Sequence, residues 1–145
     1  YYITSKIITK IVSSSTPINR LVAMVQKEVA LKLCSEEKSP LKMMIDYVGD
    51  VQYELNVPRH VFMPAPHVDS AVISIHKERV ISQELIDLIE ASYTAKRKTL
   101  YNNLKPLYHD QTKELLESCG IPANKRAEEL NIDDYIRILE RSHTL

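Results

Sequence analysis

Residues 51–77 read VQYELNVPRHVFMPAPHVDSAVISIHK and contain the pattern that decides the fold. Apolar and polar residues alternate over 51–57, which predicts a strand with one buried face. Pro58 ends that strand, and residues 62–67 (FMPAPH) contain too much proline for a helix or a strand. Residues 69–77 are again rich in β-branched residues. We therefore expect them to pair with the first strand and to lie antiparallel at the edge of a sheet.

The sequence upstream of this stretch alternates between helical and strand patterns. Apolar residues recur at helical spacing over 3–13. The continuous apolar run over 21–25 predicts a strand buried on both faces of a largely parallel sheet. Helical patterns follow at 26–33 and 40–47, and we expect Gly49 to end the second helix in a left-handed conformation. The predicted fold class of this part is α/β.

The patterns downstream of residue 79 are all helical. Ser82 is placed to cap a first helix whose apolar residues follow from Leu85. Further helical patterns cover residues 95–104, 111–118 and 132–141. The sequence thus predicts two domains, an α/β domain over 1–79 and a small all-helical domain over 80–145.

The composition excludes several classes of protein. Apolar residues make up 44% of the 145 residues and charged residues 26%, as in ordinary globular proteins. The nineteen basic and nineteen acidic residues cancel, so any attraction to nucleic acid must be local. No apolar run approaches the ~20 residues that cross a bilayer. Cys34 and Cys119 lack a paired spacing, which predicts reduced, buried thiols in a cytosolic protein, and the histidines form no metal-binding motif.

Local charge is less even than the total. The stretch 91–109 contains no acid. Its basic residues are Lys96, Arg97, Lys98 and Lys105. A basic helix on a neutral protein is what a phosphate backbone attracts, although a solvated helix face balanced by acids elsewhere explains the same charges.

Phe62 is the aromatic residue with the most unusual setting. It precedes the rigid segment Pro64-Ala65-Pro66, which could hold its ring at the mouth of a site. A ring held there could stack on a base, an interaction worth about 1–3 kcal/mol. Packing of the ring in the hydrophobic core is the alternative explanation.

Four strings, in order along the chain, resemble the rRNA adenine N6,N6-dimethyltransferase family. They are YYITS at 1–5, QKEVA at 26–30, FMPAPHVDSAV at 62–72 and RKTLYNNL at 97–104. A fifth and weaker match is RAEEL at 126–130, followed by Asp134-Tyr135. Together the matches span nearly the whole chain.

The resemblance implies a fold, an activity and a set of site residues. The fold is the C-terminal half of a Rossmann-like, S-adenosyl-L-methionine-dependent methyltransferase domain followed by a helical rRNA-binding domain. The family dimethylates N6 of two adjacent adenosines near the 3′ end of small-subunit rRNA. By the match, Tyr1 and Phe62 would stack on the target adenine. The implied RNA-binding residues are Lys96, Arg97, Lys98, Asn102, Asn103 and Lys105.

The start of the chain suggests a piece of a longer protein. It opens with Tyr1-Tyr2 and no methionine, and its two glycines are too few for a phosphate-binding glycine loop. We therefore expect the S-adenosylmethionine site to lie upstream of Tyr1 and the 145 residues alone to be inactive. The expected partner is small-subunit rRNA or a 30S-type precursor particle in the cytoplasm, without a membrane or a metal.

Two alternative functions remain open. Methyltransferases that act on large-subunit rRNA and confer macrolide resistance share the tyrosine motif. They typically have Val-Asn-Ser where this chain has Val68-Asp69-Ser70. A ribosome-assembly or transcription-factor relative would instead keep the fold and the basic helix without methylating.

Overall fold

The chain folds into two compact units. The structure, a computed structural model, describes residues 2–15 and 19–144, with only the backbone of 2–5. One unit contains residues 1–37 and 45–81, and the other contains 38–44 and 82–145. The pattern of the sequence changes at residue 79 but does not indicate that residues 38–44 join the second unit.

The first unit is a three-stranded sheet with helices. Its elements are α1 (Tyr2–Ser13), β1 (Arg20–Gln26), α2 (Lys27–Cys34), the second half of α3 (Pro40–Val48), β2 (Gly49–Val57) and β3 (Ser70–Lys77). The strand order is β1-β3-β2, and both pairs are antiparallel. β3 is therefore the central strand of the described sheet, not the predicted edge. Its burial agrees, because Ala71 and Ile73 on one face and Ser70 and Ser74 on the other are all buried.

The prediction for β1 was wrong in two respects. The strand pairs antiparallel with β3, and Val22 and Met24 are 56% and 41% exposed. Val25 alone in this strand is fully buried among the described residues. An apolar run indicates that its residues favour burial, but it does not indicate which element of the fold packs against them.

Gly49 begins β2 and does not cap a helix as predicted. A Cβ atom at this position would lie 1.8 Å from the carbonyl oxygen of His76. The close approach of β3 therefore requires glycine here. The left-handed glycine is Gly120, with φ of 72°, two residues after α6 ends.

Lys77 ties the central strand to the end of α1. Its side chain is buried, and its Nζ donates hydrogen bonds to the carbonyl oxygens of Ile11, at 3.1 Å, and Ser14. Carbonyl groups at a helix C-terminus lack partners within the helix, and a cation is favourable beside them. Burial lowers the pKa of the Lys77 ammonium group.

The second unit is helical, and no strand occurs among its described residues. Its elements after the first half of α3 are α4 (Gln83–Ser92), α5 (Leu100–Tyr108), α6 (Thr112–Ser118) and α7 (Ile132–Ser142). The predicted cap of α4 is confirmed, since Ser82 Oγ accepts a hydrogen bond from the Leu85 backbone at 3.2 Å. Asn131 caps α7 in the same way. In the core, the Tyr135 hydroxyl lies 2.8 Å from Ser92 Oγ.

The two cysteines differ in burial. Cys119 is buried as predicted, whereas Cys34, at the end of α2, is exposed. The buried residues of α2 are Ala30 and Leu33, and Cys34 is exposed at the last residue of the helix. Separately, none of the helices in the described part of the chain is long and apolar enough to cross a membrane.

Candidate nucleic-acid interface

The structure places residues 96–98 (Lys-Arg-Lys) in a turn and not in the predicted helix over 95–104. Helix α5 begins only at Leu100, because Thr99 is its N-cap. Thr99 has an extended backbone, and its Oγ1 accepts a hydrogen bond from the backbone nitrogen of Asn102 at 3.3 Å. A capping residue in this conformation ends the helix on its N-terminal side. We refer to residues 96–98 as the basic turn.

The basic turn carries three cations on the surface. All three side chains are exposed. Among the residues that the structure describes, none of the three has a carboxylate oxygen within 4.0 Å. Cations that are not neutralised within the protein are available to phosphate groups.

Asn103 lies beneath this turn and is buried. Its Oδ1 accepts a hydrogen bond from the Ala95 nitrogen at 3.2 Å, and its Nδ2 donates to the carbonyl oxygens of Ser92 and Ala95 at 2.9 and 3.1 Å. The predicted contact of Asn103 with RNA therefore needs correction, because its amide is already used inside the protein. Asn103 instead fixes the backbone that leads into the basic turn.

We expect Asn103→Leu to destabilise the protein by about 2–3 kcal/mol. The substitution preserves the volume but removes the Asn103 hydrogen bonds to the Ala95 nitrogen and the Ser92 carbonyl oxygen, whereas the Ala95 carbonyl oxygen still accepts from the Lys98 nitrogen. Urea unfolding of the full-length protein measures the effect. Asn102→Leu is the matched control, since Asn102 is exposed and its side chain makes only a surface bond to Thr99. Equal destabilisation by the two substitutions would contradict the role given to Asn103.

The two remaining predicted contacts lie on the surface of α5. Asn102 and Lys105 are both exposed. The Nζ of Lys105 lies 5.9 Å from the centroid of the Tyr101 ring, within the range of a cation–π contact. Both side chains are accessible to a partner that binds along α5.

Sequence reasoning missed a second basic segment beside the start of α5. The Leu100 nitrogen donates a 2.6 Å hydrogen bond to the carbonyl oxygen of Lys125, which brings Lys125 and Arg126 close to the basic turn in space. Lys125 is partly neutralised by Glu129, whose carboxylate lies 3.3 Å away. Only the weak RAEEL match at 126–130 pointed to this region of the sequence.

Phe62 lies in the loop between β2 and β3 and is half-buried, so it is not part of the hydrophobic core. It follows a single turn of 3-10 helix, Arg59–Val61, and its backbone nitrogen donates to the Arg59 carbonyl oxygen at 3.3 Å. Met63 beside it is 98% exposed. Tyr1, the second ring of the predicted pair, lies outside the described residues.

Hydrogen bonds between Arg59 and the end of the same loop were also missed by the sequence analysis. The backbone nitrogen and Nε of Arg59 donate to one carboxylate oxygen of Asp69, at 2.9 and 3.1 Å. Nη1 of Arg59 donates to the His67 carbonyl oxygen at 2.6 Å. The hydrogen bonds from the backbone and then the side chain of Arg59 hold the pKa of Asp69 below its usual value.

The two glycines do not lie where a cofactor-binding loop would need them. Gly49 is packed against β3, and Gly120 follows a helix, so neither belongs to a strand-to-helix loop that could hold S-adenosylmethionine. In the described part of the chain, no three His, Cys, Asp or Glu side chains are grouped as metal ligands.

The sequence is similar to those of known proteins. A family model described as "Ribosomal RNA adenine dimethylase" matches residues 1–143. Over 97% of its length, the chain is 36% identical to the ribosomal RNA small subunit methyltransferase A of Fusobacterium nucleatum. Over 98% of its length, the chain is 33% identical to the protein of the same name from Mesoplasma florum. The chain spans only 58% of each of these two relatives.

Two crystal structures share the fold. A dimethyladenosine transferase from Plasmodium falciparum is 23% identical, with a TM-score of 0.83 over 99% of this chain and 64% of that one. The 23S rRNA methyltransferase ErmE is 22% identical, with a TM-score of 0.65 over 99% of this chain and 62% of that one. These similarities confirm the predicted fold class.

Proposed function

Because this chain belongs to the ribosomal RNA adenine dimethylase family, we propose that the full-length protein is a cytoplasmic rRNA methyltransferase. It transfers methyl groups from S-adenosylmethionine to N6 of two adjacent adenosines near the 3′ end of small-subunit rRNA, during small-subunit biogenesis. The observation that carries the proposal is the family match over residues 1–143. The relatives named for small-subunit methylation support the choice of substrate.

In this proposal, residues 1–79 are the latter part of the catalytic domain, and Phe62 helps to hold the target base. An adenine N6 is a weak nucleophile because its lone pair is delocalised into the ring. The base must therefore leave the RNA stack and be held in a fixed orientation for transfer. The partial exposure of Phe62 supports a stacking role for its ring, with Tyr1 as the second ring.

Residues 80–145 are the rRNA-binding domain in this proposal, and the basic turn is their main contact with the phosphate backbone. Its three exposed cations and the Asn103 bonds that fix the preceding backbone support this role. Asn102 and Lys105 extend the contact along α5. A 30S-type precursor particle is the proposed partner.

S-adenosylmethionine would be held mainly by residues outside this chain. Because the residues present do not fit the cofactor, we derive no step of the reaction through it. The contribution of this chain is to bind the rRNA and to orient the adenine.

Methylation of ribosomal subunits by the full-length protein tests the proposal. We expect it to form N6,N6-dimethyladenosine, identified by mass spectrometry of digested RNA, on unmethylated small subunits but not on large-subunit rRNA. Residues 1–145 alone are the control and should give no product. Product on large-subunit rRNA only would favour the macrolide-resistance class. Binding of rRNA without any product would favour a noncatalytic assembly protein.

A further inference from the structure

We propose that Arg59 and Asp69 are positioning residues that hold Phe62 in the orientation needed for base stacking. We call residues 58–69, between β2 and β3, the Phe62 loop. The inference rests on the proposed function, because it gives these two residues a part in presenting the target adenine. Neither residue is proposed to touch the substrate.

Arg59 and Asp69 join the two ends of the Phe62 loop. One carboxylate oxygen of Asp69 accepts hydrogen bonds from both the backbone nitrogen and Nε of Arg59, at 2.9 and 3.1 Å. The same guanidinium donates through Nη1 to the His67 carbonyl oxygen at 2.6 Å. A guanidinium has donors in a fixed fork, so these bonds restrain the direction of the side chain as well as its distance.

Backbone hydrogen bonds connect Arg59 to the residue that carries the ring. The Phe62 nitrogen donates to the Arg59 carbonyl oxygen at 3.3 Å, and the Val61 nitrogen donates to the Pro58 carbonyl oxygen at 3.2 Å. Only one turn of 3-10 helix therefore separates Arg59 from Phe62. A change in the backbone of Arg59 is passed directly to the residue that carries the ring.

Asp69 is in turn attached to α2 and to the sheet. The Asp69 carbonyl oxygen accepts a 2.9 Å hydrogen bond from the nitrogen of Lys27, the first residue of α2. Asp69 also immediately precedes Ser70, where the central strand β3 begins. Asp69 is thus fixed to two regular elements, and Arg59 connects Phe62 to this fixed point.

Loss of the Arg59–Asp69 interaction should have only a local effect, because the two side chains are 53% and 31% exposed. Exposed ion pairs contribute little to the free energy of unfolding. Asp69 has a lowered pKa, so the interaction is complete above its ordinary pKa and is lost only as the pH falls through the lowered value. Near neutral pH, loss of the pair should therefore change the orientation of Phe62 and not the stability of the fold.

The test uses steady-state kinetics of the full-length protein on unmethylated small subunits. We expect Asp69→Ala to lower kcat about tenfold, with KM for the subunit and the unfolding temperature nearly unchanged, because misplacement of a positioning group acts on orientation. Asp69→Asn should lose about threefold, since an amide oxygen still accepts from the Arg59 backbone. Lys32→Gln is the matched control, because it removes an exposed ion pair with Glu28 in the same unit and should leave kcat unchanged.

A double substitution separates positioning from a merely structural role. In a Phe62→Ala background, Asp69→Ala should cause almost no further loss of kcat, because the ring that it positions is gone. An unchanged kcat for Asp69→Ala, or losses that multiply fully in the double variant, would overturn the inference. If Phe62→Ala lowers kcat while Asp69→Ala does not, the inference fails and the proposed function stands. If Phe62→Ala itself has no effect, both the stacking role and this inference fail.

Discussion

Replacement of both Arg97 and Lys98 by glutamate is expected to weaken binding of the full-length protein to small-subunit rRNA about 100-fold at low salt. The two side chains lie in the basic turn and have no acidic partner among the described residues. Each lost phosphate contact removes one unit of counterion release, and each new carboxylate repels the backbone. The slope of log K against log salt should therefore fall by about 2 in a filter-binding assay.

The double variant Lys113→Glu with Arg141→Glu is the matched control for this experiment. It changes the net charge equally, but its residues are exposed positions on α6 and α7 and not in the basic turn. The control should weaken binding only a few-fold through the overall charge. Equal weakening by the two double variants would show that net charge, and not the basic turn, determines rRNA affinity.

Phe62→Ala is expected to lower kcat about 10- to 100-fold while rRNA affinity stays within about threefold. Stacking of a base on an aromatic ring is worth about 1–3 kcal/mol, and each 1.4 kcal/mol corresponds to about a factor of ten in rate. The phosphate contacts of the second unit remain, so affinity should change little. Single-turnover methylation and filter binding, measured on the same preparation, separate the two effects.

Two further substitutions control the Phe62 experiment. Val61→Ala changes the preceding residue, which is 58% exposed, and should leave turnover nearly unchanged. Phe62→Tyr keeps an aromatic face and should retain most of the activity. Unaltered turnover in Phe62→Ala would contradict the stacking role and would mean that the ring only packs against the protein.

The sequence predicts the positions of most helices and strands because their periodicity is local. The order of the strands is not local, and the central place of β3 depends on its pairing with β1, from which α2, α3 and β2 separate it along the chain. Gly49 was misread for the same reason, because the carbonyl oxygen that requires glycine belongs to His76 on β3. Composition alone cannot reveal such a contact.

The parts of the candidate site that residue type or a motif marks could be predicted from the sequence. The basic turn and Phe62 stand out by charge and by the proline-rich loop. The contact of Leu100 with Lys125 and the bonds of Arg59 with Asp69 join residues that are 25 and 10 positions apart, and no periodic pattern marks them. The helix over 95–104 was placed too early because good helix-forming lysine and arginine residues precede the Thr99 cap.

Photo-cross-linking tests most directly whether Phe62 lies at the target adenine. Small-subunit RNA carrying 8-azidoadenosine at a target position is irradiated with the full-length protein, and the cross-linked peptides are sequenced by mass spectrometry. We expect a cross-link to the peptide that contains Phe62, and unmodified RNA should abolish this cross-link by competition. Cross-links confined to peptides outside the Phe62 loop would contradict a role of Phe62 at the target adenine.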